Sequence, residues 1–200
     1  QDGSPLTRAD RLSHEAITEV LAQAGLPIVS EEGLHLSLDA RLYWLVDPLD
    51  GTKDFIAGND EFTVNIALVA DGFPVLGVLY APALGELYYG SSTEGFWCDP
   101  RGPGDLIGKP EYIEGGIRMA TSRFHDGVES RKFAEFNRIH RQVPIGSALK
   151  FGRLAIGAVD VYPRFVGTSE WDTAAGQAVL EAAGGQVIDL SSGGRMRYGK

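Results

Sequence analysis

Cysteine is nearly absent from this 200-residue sequence. Cys98 stands alone, so no internal disulfide can form, and His14, His35, His125 and His140 are scattered rather than clustered around it. Cys/His zinc cages are thereby excluded, and a reducing compartment fits the single thiol. Basic charge is also scarce: 18 Lys and Arg stand against 27 Asp and Glu, a formal net charge of −9. With no basic stripe to neutralise a run of phosphates, a nucleic-acid polymer is not an expected partner. No apolar run approaches the roughly 18 residues that span a bilayer, so no transmembrane segment is expected. The start Gln1-Asp2-Gly3-Ser4-Pro5 has no basic-then-apolar leader. A cytoplasmic location is the expectation, with a peripheral position at the inner membrane left open. The sequence starts without Met and stops at Tyr198-Gly199-Lys200 after a strand-like run, which reads as a chain truncated at both ends.

What is present is enough apolar material for a substantial core, 44% of residues. Thr7 and Asp10 mark a helix start, followed by Leu12, Ala16, Ile17, Val20 and Leu21 at helical spacing up to Ala24-Gly25. Leu26-Pro27-Ile28-Val29 then predicts a short buried strand that runs into Ser30-Glu31-Glu32-Gly33. Leu42 to Val46 predicts a second, running into Asp47-Pro48-Leu49-Asp50-Gly51-Thr52. Segments 62–70, 74–81 and 85–90 predict an antiparallel meander, the first two joined by Asp71-Gly72. Gly and Pro accumulate between Phe96 and Pro110, the expected seam between an N-terminal α+β half, 1–105, and a C-terminal α/β half, 106–200. Beyond it the pattern predicts strands at 112–122, 159–165 and 186–190 and helices at 129–139, 147–158 and 172–183.

Two apolar runs thus end in carboxylates. Asp47 and Asp50 flank Pro48, which fixes φ and removes a ladder donor, so the strand is expected to turn there. Such a turn aims both carboxylates into one space, where they repel unless they share a cation, and hard oxygen ligands suit magnesium. Gly51 lets backbone amides face an anion, and Thr52 adds a hydroxyl. An ordinary turn made of ordinary turn residues is the competing interpretation. A calcium loop starting at Asp50 fails because Phe55 stands where that loop needs glycine. Glycine-rich nucleotide loops and a serine nucleophile elbow are absent. Trp171 to Gly176 predicts a helix start capped by Asp172, and such an end also attracts anions, so Asp172 is a candidate second-metal ligand.

In this order, Ser30-Glu31-Glu32, Trp44 to Thr52 with Lys53-Asp54-Phe55, and Trp171 to Gly176 resemble the three motifs of the inositol monophosphatase-like, lithium-sensitive, metal-dependent phosphatases. Lys53-Asp54-Phe55, Gly146 to Lys150 and Tyr162 to Phe165 resemble the CysQ-type 3'(2'),5'-bisphosphate nucleotidase branch, as does the Asp-Gly-Ser-Pro start. The resemblance implies a layered αβαβα sandwich of the inositol monophosphatase/fructose-1,6-bisphosphatase type. It also implies a cofactor of two or more Mg2+ ions: Glu31, Asp47 and the Leu49 carbonyl would hold one, and Asp47, Asp50 and Asp172 another. Glu31 and Thr52 would orient the attacking water, with Asp10 behind the threonine. Leu49, Asp50, Gly51, Thr52, Asp172, Ser147, Lys150 and Arg164 would bind a small phosphorylated substrate, an adenosine bisphosphate whose 3'-phosphate is released in sulfur metabolism. An inositol or sugar phosphatase and a silent metal- or nucleotide-binding module are the alternatives, and a homodimer is left open. Members usually carry a further helical segment before the Asp-Gly-Ser-Pro start and a tail after the last strand.

Overall fold

The structure, a computed structural model, describes residues 6–33, 40–99, 116–124 and 127–199. The Asp-Gly-Ser-Pro start, His35, His125 and residues 100–110 of the expected 96–110 seam lie outside the described residues. No helix among them is long and apolar enough to cross a membrane.

Helix α1 (Arg8–Leu21) begins with a capping box between Thr7 and Asp10, which satisfies amides that a helix start leaves unpaired. The expected apolar face is only partly buried, since Leu12 and Val20 point outward. The inward contacts are polar: Ser13 Oγ donates to the Pro48 carbonyl at 2.8 Å, and His14 Nδ1 bonds Ser30 Oγ at 2.9 Å.

Six strands form the main sheet in chain order: β1 (Ile28–Ser30), β2 (Leu42–Asp50), β3 (Thr63–Ala70), β4 (Phe73–Ala81), β5 (Glu86–Ser91) and β6 (Gly95–Asp99). β1 and β2 are parallel and the rest is the expected meander. β6 falls where the sequence predicted only connection. Asp71 and Gly72 both take positive φ, as the tight β3–β4 hairpin demands. On β3, Thr63, Asn65, Ala67 and Val69 alternate inward. Their partners Tyr43, Leu45 and Asp47 on β2 share that face, so the apolar face of the sheet becomes polar at one end.

β2 does not stop at Pro48. It continues to Asp50 with an extra residue between the pairs Asp47–Asn65 and Asp50–Thr63, a β-bulge rather than the predicted turn. Gly51, with φ of 88°, then starts the short helix α2 (Thr52–Ala57).

A second, two-stranded parallel sheet pairs β7 (Arg118–Ser122) with β8 (Arg141–Ile145) across helix α3 (Val128–Phe136). The predicted strand at 159–165 shrinks to one parallel bridge, Val161 to Met119, and β8 was not predicted. After Pro163 the chain folds back on itself, with Arg164 donating to the Val166 and Gly167 carbonyls. Helix α4 (Leu149–Ala155) starts later than predicted because Ser147, with φ of 47°, lies outside helical space. Helix α5 (Ala174–Ala182) packs on β4 and β5, followed by a β9 (Ile188–Asp189) and β10 (Gly194–Arg195) ribbon.

The α5–sheet approach depends on absent side chains. A Cβ on Gly77 would run into the Ala175 carbonyl and lie 2.8 Å from Ala178 Cβ, and one on Gly90 would lie 2.8 Å from Val179 N. Gly77→Ala and Gly90→Ala are each expected to lose about 1–3 kcal/mol in urea denaturation, the range for overpacking. Gly167→Ala, where a Cβ meets nothing within 4 Å, serves as the unchanged control.

Candidate metal and phosphate site

The register of β1 against β2 builds the first half of the site. Ser30 pairs with Val46, and the Glu31 amide donates to the Val46 carbonyl at 3.1 Å, so Glu31 stands beside Asp47. Asp47 is in phase with Tyr43 and Leu45 and is therefore carried into the interior, where it is 1% exposed. Leu49 N donates to Asp47 Oδ1 at 3.0 Å across the bulge. Asp50 Oδ2 accepts from the Ala148 amide at 2.6 Å and from Asn65 Nδ2 at 3.4 Å.

Asp172 arrives from the C-terminal half. It does not cap α5: Thr173 is the N-cap residue and makes no side-chain cap bond. Asp172 Oδ2 instead accepts from Thr168 Oγ1 at 2.6 Å and Ser169 N at 3.0 Å, closing the loop that precedes the helix. An i to i−3 bond suits a carboxylate before an irregular first turn, which has no well-placed amide ahead of it.

The four carboxylates sense one another. Burial, followed by the charges of Asp50, Glu31 and Asp172, holds the Asp47 carboxyl well above the ordinary range. Glu31 is pushed up to about 7, first by burial, with the hydrogen bond from Asp47 opposing and the Asp172, Glu32 and Asp50 charges adding. Asp50 is pushed up to about 6 by burial and Asp172, against the pull of Lys150. Among the described residues no three Asp, Glu, His or Cys groups already close on one ion-sized point. The hydrogen bonds explain this: Glu31 and Asp47 are turned to each other, while Asp50 and Asp172 are turned to neighbouring amides. Nearby, the buried Asn65 Oδ1 and Thr63 Oγ1 have no partner.

Glu31, Asp47, Leu49, Asp50, Gly51, Thr52, Ser147, Lys150, Arg164 and Asp172 all line one cavity of about 1640 Å³. Asp10 sits behind it, 3% exposed, with Oδ1 3.4 Å from Thr52 Oγ1, while its other oxygen serves the α1 cap. Thr52 Oγ1 also lies 3.3 Å from the Leu49 carbonyl. Lys150 is buried over the Tyr162 ring and donates to the Ser147 and Ile145 carbonyls at 2.6 and 3.2 Å. Arg164 reaches Tyr162 Oη at 3.3 Å besides its two carbonyl bonds at 3.2 Å. Glu170 turns away to accept from the Gly199 amide.

Sequence reasoning missed Asn65, although its phase with Ala67 and Val69 on an inward-facing strand was a usable signal. It also left Asp54 undirected and gave Glu61 and Arg123 no role. Asp54 is 3% exposed and bonds Asn59 Nδ2 at 2.7 Å.

The model of the inositol monophosphatase family matches residues 1–198. The chain is 42% identical over 198 residues to the 3'(2'),5'-bisphosphate nucleotidase CysQ of Shigella flexneri, covering 94% of this chain and 77% of that protein. It is equally similar to the protein of that name from Escherichia coli K12, with the same coverage. Among solved structures, CysQ from Bacteroides thetaiotaomicron superposes with a TM-score of 0.86 at 38% identity, over 100% of this chain and 81% of that one. Thermotoga maritima IMPase TM1415 superposes at 0.76 and 28%, over 98% and 76%. With one family model spanning nearly every residue and relatives at this identity, the chain belongs to the inositol monophosphatase family.

Proposed function

We propose that this chain is a magnesium-dependent phosphomonoesterase that converts 3'-phosphoadenosine 5'-phosphate to AMP and phosphate. The observation that carries the proposal is the convergence of Glu31, Asp47, Asp50 and Asp172, from three separate segments, on one cavity, where burial and neighbouring negative charge raise the Asp47 carboxyl. The choice of a nucleotide rests on the similarity to CysQ nucleotidases.

The donor set fits divalent magnesium. All four side chains offer hard oxygen, the Leu49 carbonyl adds another, and Glu31, Asp47 and Asp50 are driven toward protonation chiefly by burial and by neighbouring negative charge, which a cation relieves. Glu31, Asp47 and Leu49 would hold one ion, and Asp47, Asp50 and Asp172 a second. When bound, the ions supply Lewis-acid charge to the phosphate oxygens and lower the pKa of a bound water.

The residues then divide the remaining work. Thr52 Oγ1 has one proton and two acceptors in reach, Asp10 Oδ1 and the Leu49 carbonyl. With that proton directed away from the cavity, its lone pairs face inward to orient the attacking water together with Glu31. Gly51 and Thr52 present backbone amides to the phosphate at the start of α2. Arg164 is the better partner for a second phosphate. Its present bonds are long, 3.2–3.3 Å, and exchange readily for shorter charge-assisted ones. Lys150 is fixed by a 2.6 Å bond to Ser147 O in a buried setting.

Phosphate release from 3'-phosphoadenosine 5'-phosphate should require Mg2+ and exceed release from inositol 1-phosphate; a preference for inositol 1-phosphate would sink the nucleotide assignment. Asp47→Asn should lower kcat by at least about 100-fold, more than loss of an outer-shell partner typically costs, while circular dichroism stays unchanged.

The raised carboxyls also set a pH dependence for the metal-free protein. Between pH 4 and 7 the folded state binds more protons at Glu31 and Asp50 than the unfolded chain does. This contribution to stability is complete below pH 4 and is lost as the pH rises to about 7. The melting temperature in EDTA should fall across that window. At neutral pH, Mg2+ at a hundredfold over its Kd should restore on the order of 5 °C. An unchanged melting temperature on adding Mg2+ would argue against a cation at this site.

A further inference from the structure

The turn at 146–148, between β8 and α4, is tied to the α2–β3 connection by a second layer of charge that meets the cavity lining at Asp54. Glu61, in the connection between α2 and β3, accepts with one oxygen, Oε2, from both Arg123 Nη2 at 2.6 Å and the Gly146 amide at 2.7 Å. Arg123, just after β7, also reaches the Pro144 carbonyl at 3.3 Å and lies 3.8 Å from Asp54 Oδ1. The fit leaves no slack: a Cβ on Gly146 would stand 2.6 Å from the Glu61 carbonyl oxygen and 2.8 Å from Asp54 Oδ1. Next in the chain is Ser147, a non-glycine residue at φ of 47°, a conformation that persists only where surrounding structure imposes it. The residue after it is Ala148, whose amide holds Asp50 Oδ2 at 2.6 Å.

We propose that Glu61 and Arg123 are positioning residues that hold the Gly146–Ala148 turn with Ser147 in its left-handed conformation, and thereby fix which way the Asp50 carboxylate faces. The proposal rests on the phosphatase assignment for its catalytic consequence, but its structural step concerns only this chain. Both side chains are partly solvent-exposed, 35% for Arg123 and 26% for Glu61. An ion pair so placed contributes little to global stability. Its value lies in geometry, because a misplaced carboxylate weakens metal binding far more than it unfolds the protein.

The test uses the full 200-residue chain and three readouts: Mn2+ binding by titration calorimetry as a surrogate for Mg2+, kcat and KM for phosphate release, and the melting temperature. Glu61→Ala and Arg123→Met should weaken Mn2+ binding and lower kcat by about 10-fold or more, the range for outer-shell groups. KM and melting temperature should change little. Glu61→Gln retains an acceptor for the Gly146 amide and should recover most of both losses, which a generic packing defect would not show. Mn2+ affinity and kcat within about twofold of the parent in both Glu61→Ala and Arg123→Met would overturn the proposal. Should Glu61→Ala fail to fold, Arg123→Met and Glu61→Gln carry the comparison. A parent protein without phosphatase activity removes the functional assignment alone, and the calorimetry then decides the positioning role. An active parent with unaltered variants removes the positioning role alone.

Discussion

Carboxylates sharing one pocket repel one another, and much of this molecule is arranged so that four of them stay where they are. The cost is visible in the raised protonation of Glu31, Asp47 and Asp50, for which burial is the leading cause and mutual charge the next. Neutral donors hold three of them in place: Leu49 N on Asp47, Ala148 N on Asp50, Ser169 N on Asp172. The buried cation Lys150 offsets part of the field at Asp50 while its own charge is disfavoured by burial. What the protein leaves uncompensated is negative charge surrounded by further oxygen acceptors, the environment in which a divalent cation is most strongly held.

Position follows from backbone pairing rather than from side-chain rescue. Parallel β1–β2 pairing puts Glu31 next to Asp47, and the bulge in β2 lets Asp47 and Asp50 both point at the cavity although they are three residues apart on a strand of period two. Without the bulge, an odd separation would place the two on opposite faces. Asp172 depends on a different device. Gly77 and Gly90 allow α5 to lie directly on the sheet, and the loop immediately before it carries Asp172 to the level of β2.

The sequence made the acidic strand ends legible because the change from apolar run to carboxylate is abrupt at Ser30-Glu31 and Val46-Asp47. It also made the meander legible, because alternation and the Asp71-Gly72 turn are local signals. Three features depended on tertiary pairing and were hidden. The bulge is set by the register of β2 on β3, whereas Pro48 alone suggests a turn. Short β8 and the single bridge at Val161 draw their stability from the second sheet rather than from their own pattern. Glu61 and Arg123 lie 62 positions apart and meet only in the folded chain.

The two layers of charge make different physical demands. Inside the cavity, direction and burial matter, since a carboxylate rotated away still repels its neighbours but no longer shares a cation with them. One layer out, Glu61 and Arg123 sit partly in water, where their mutual attraction is weakened but their hydrogen-bond directions are not. A bond from Glu61 to the Gly146 amide can therefore constrain a neighbouring left-handed residue without contributing much to global stability. The inner carboxylates gain a fixed orientation, and the energetic cost of holding it is spread over backbone amides that had to be paired in any case.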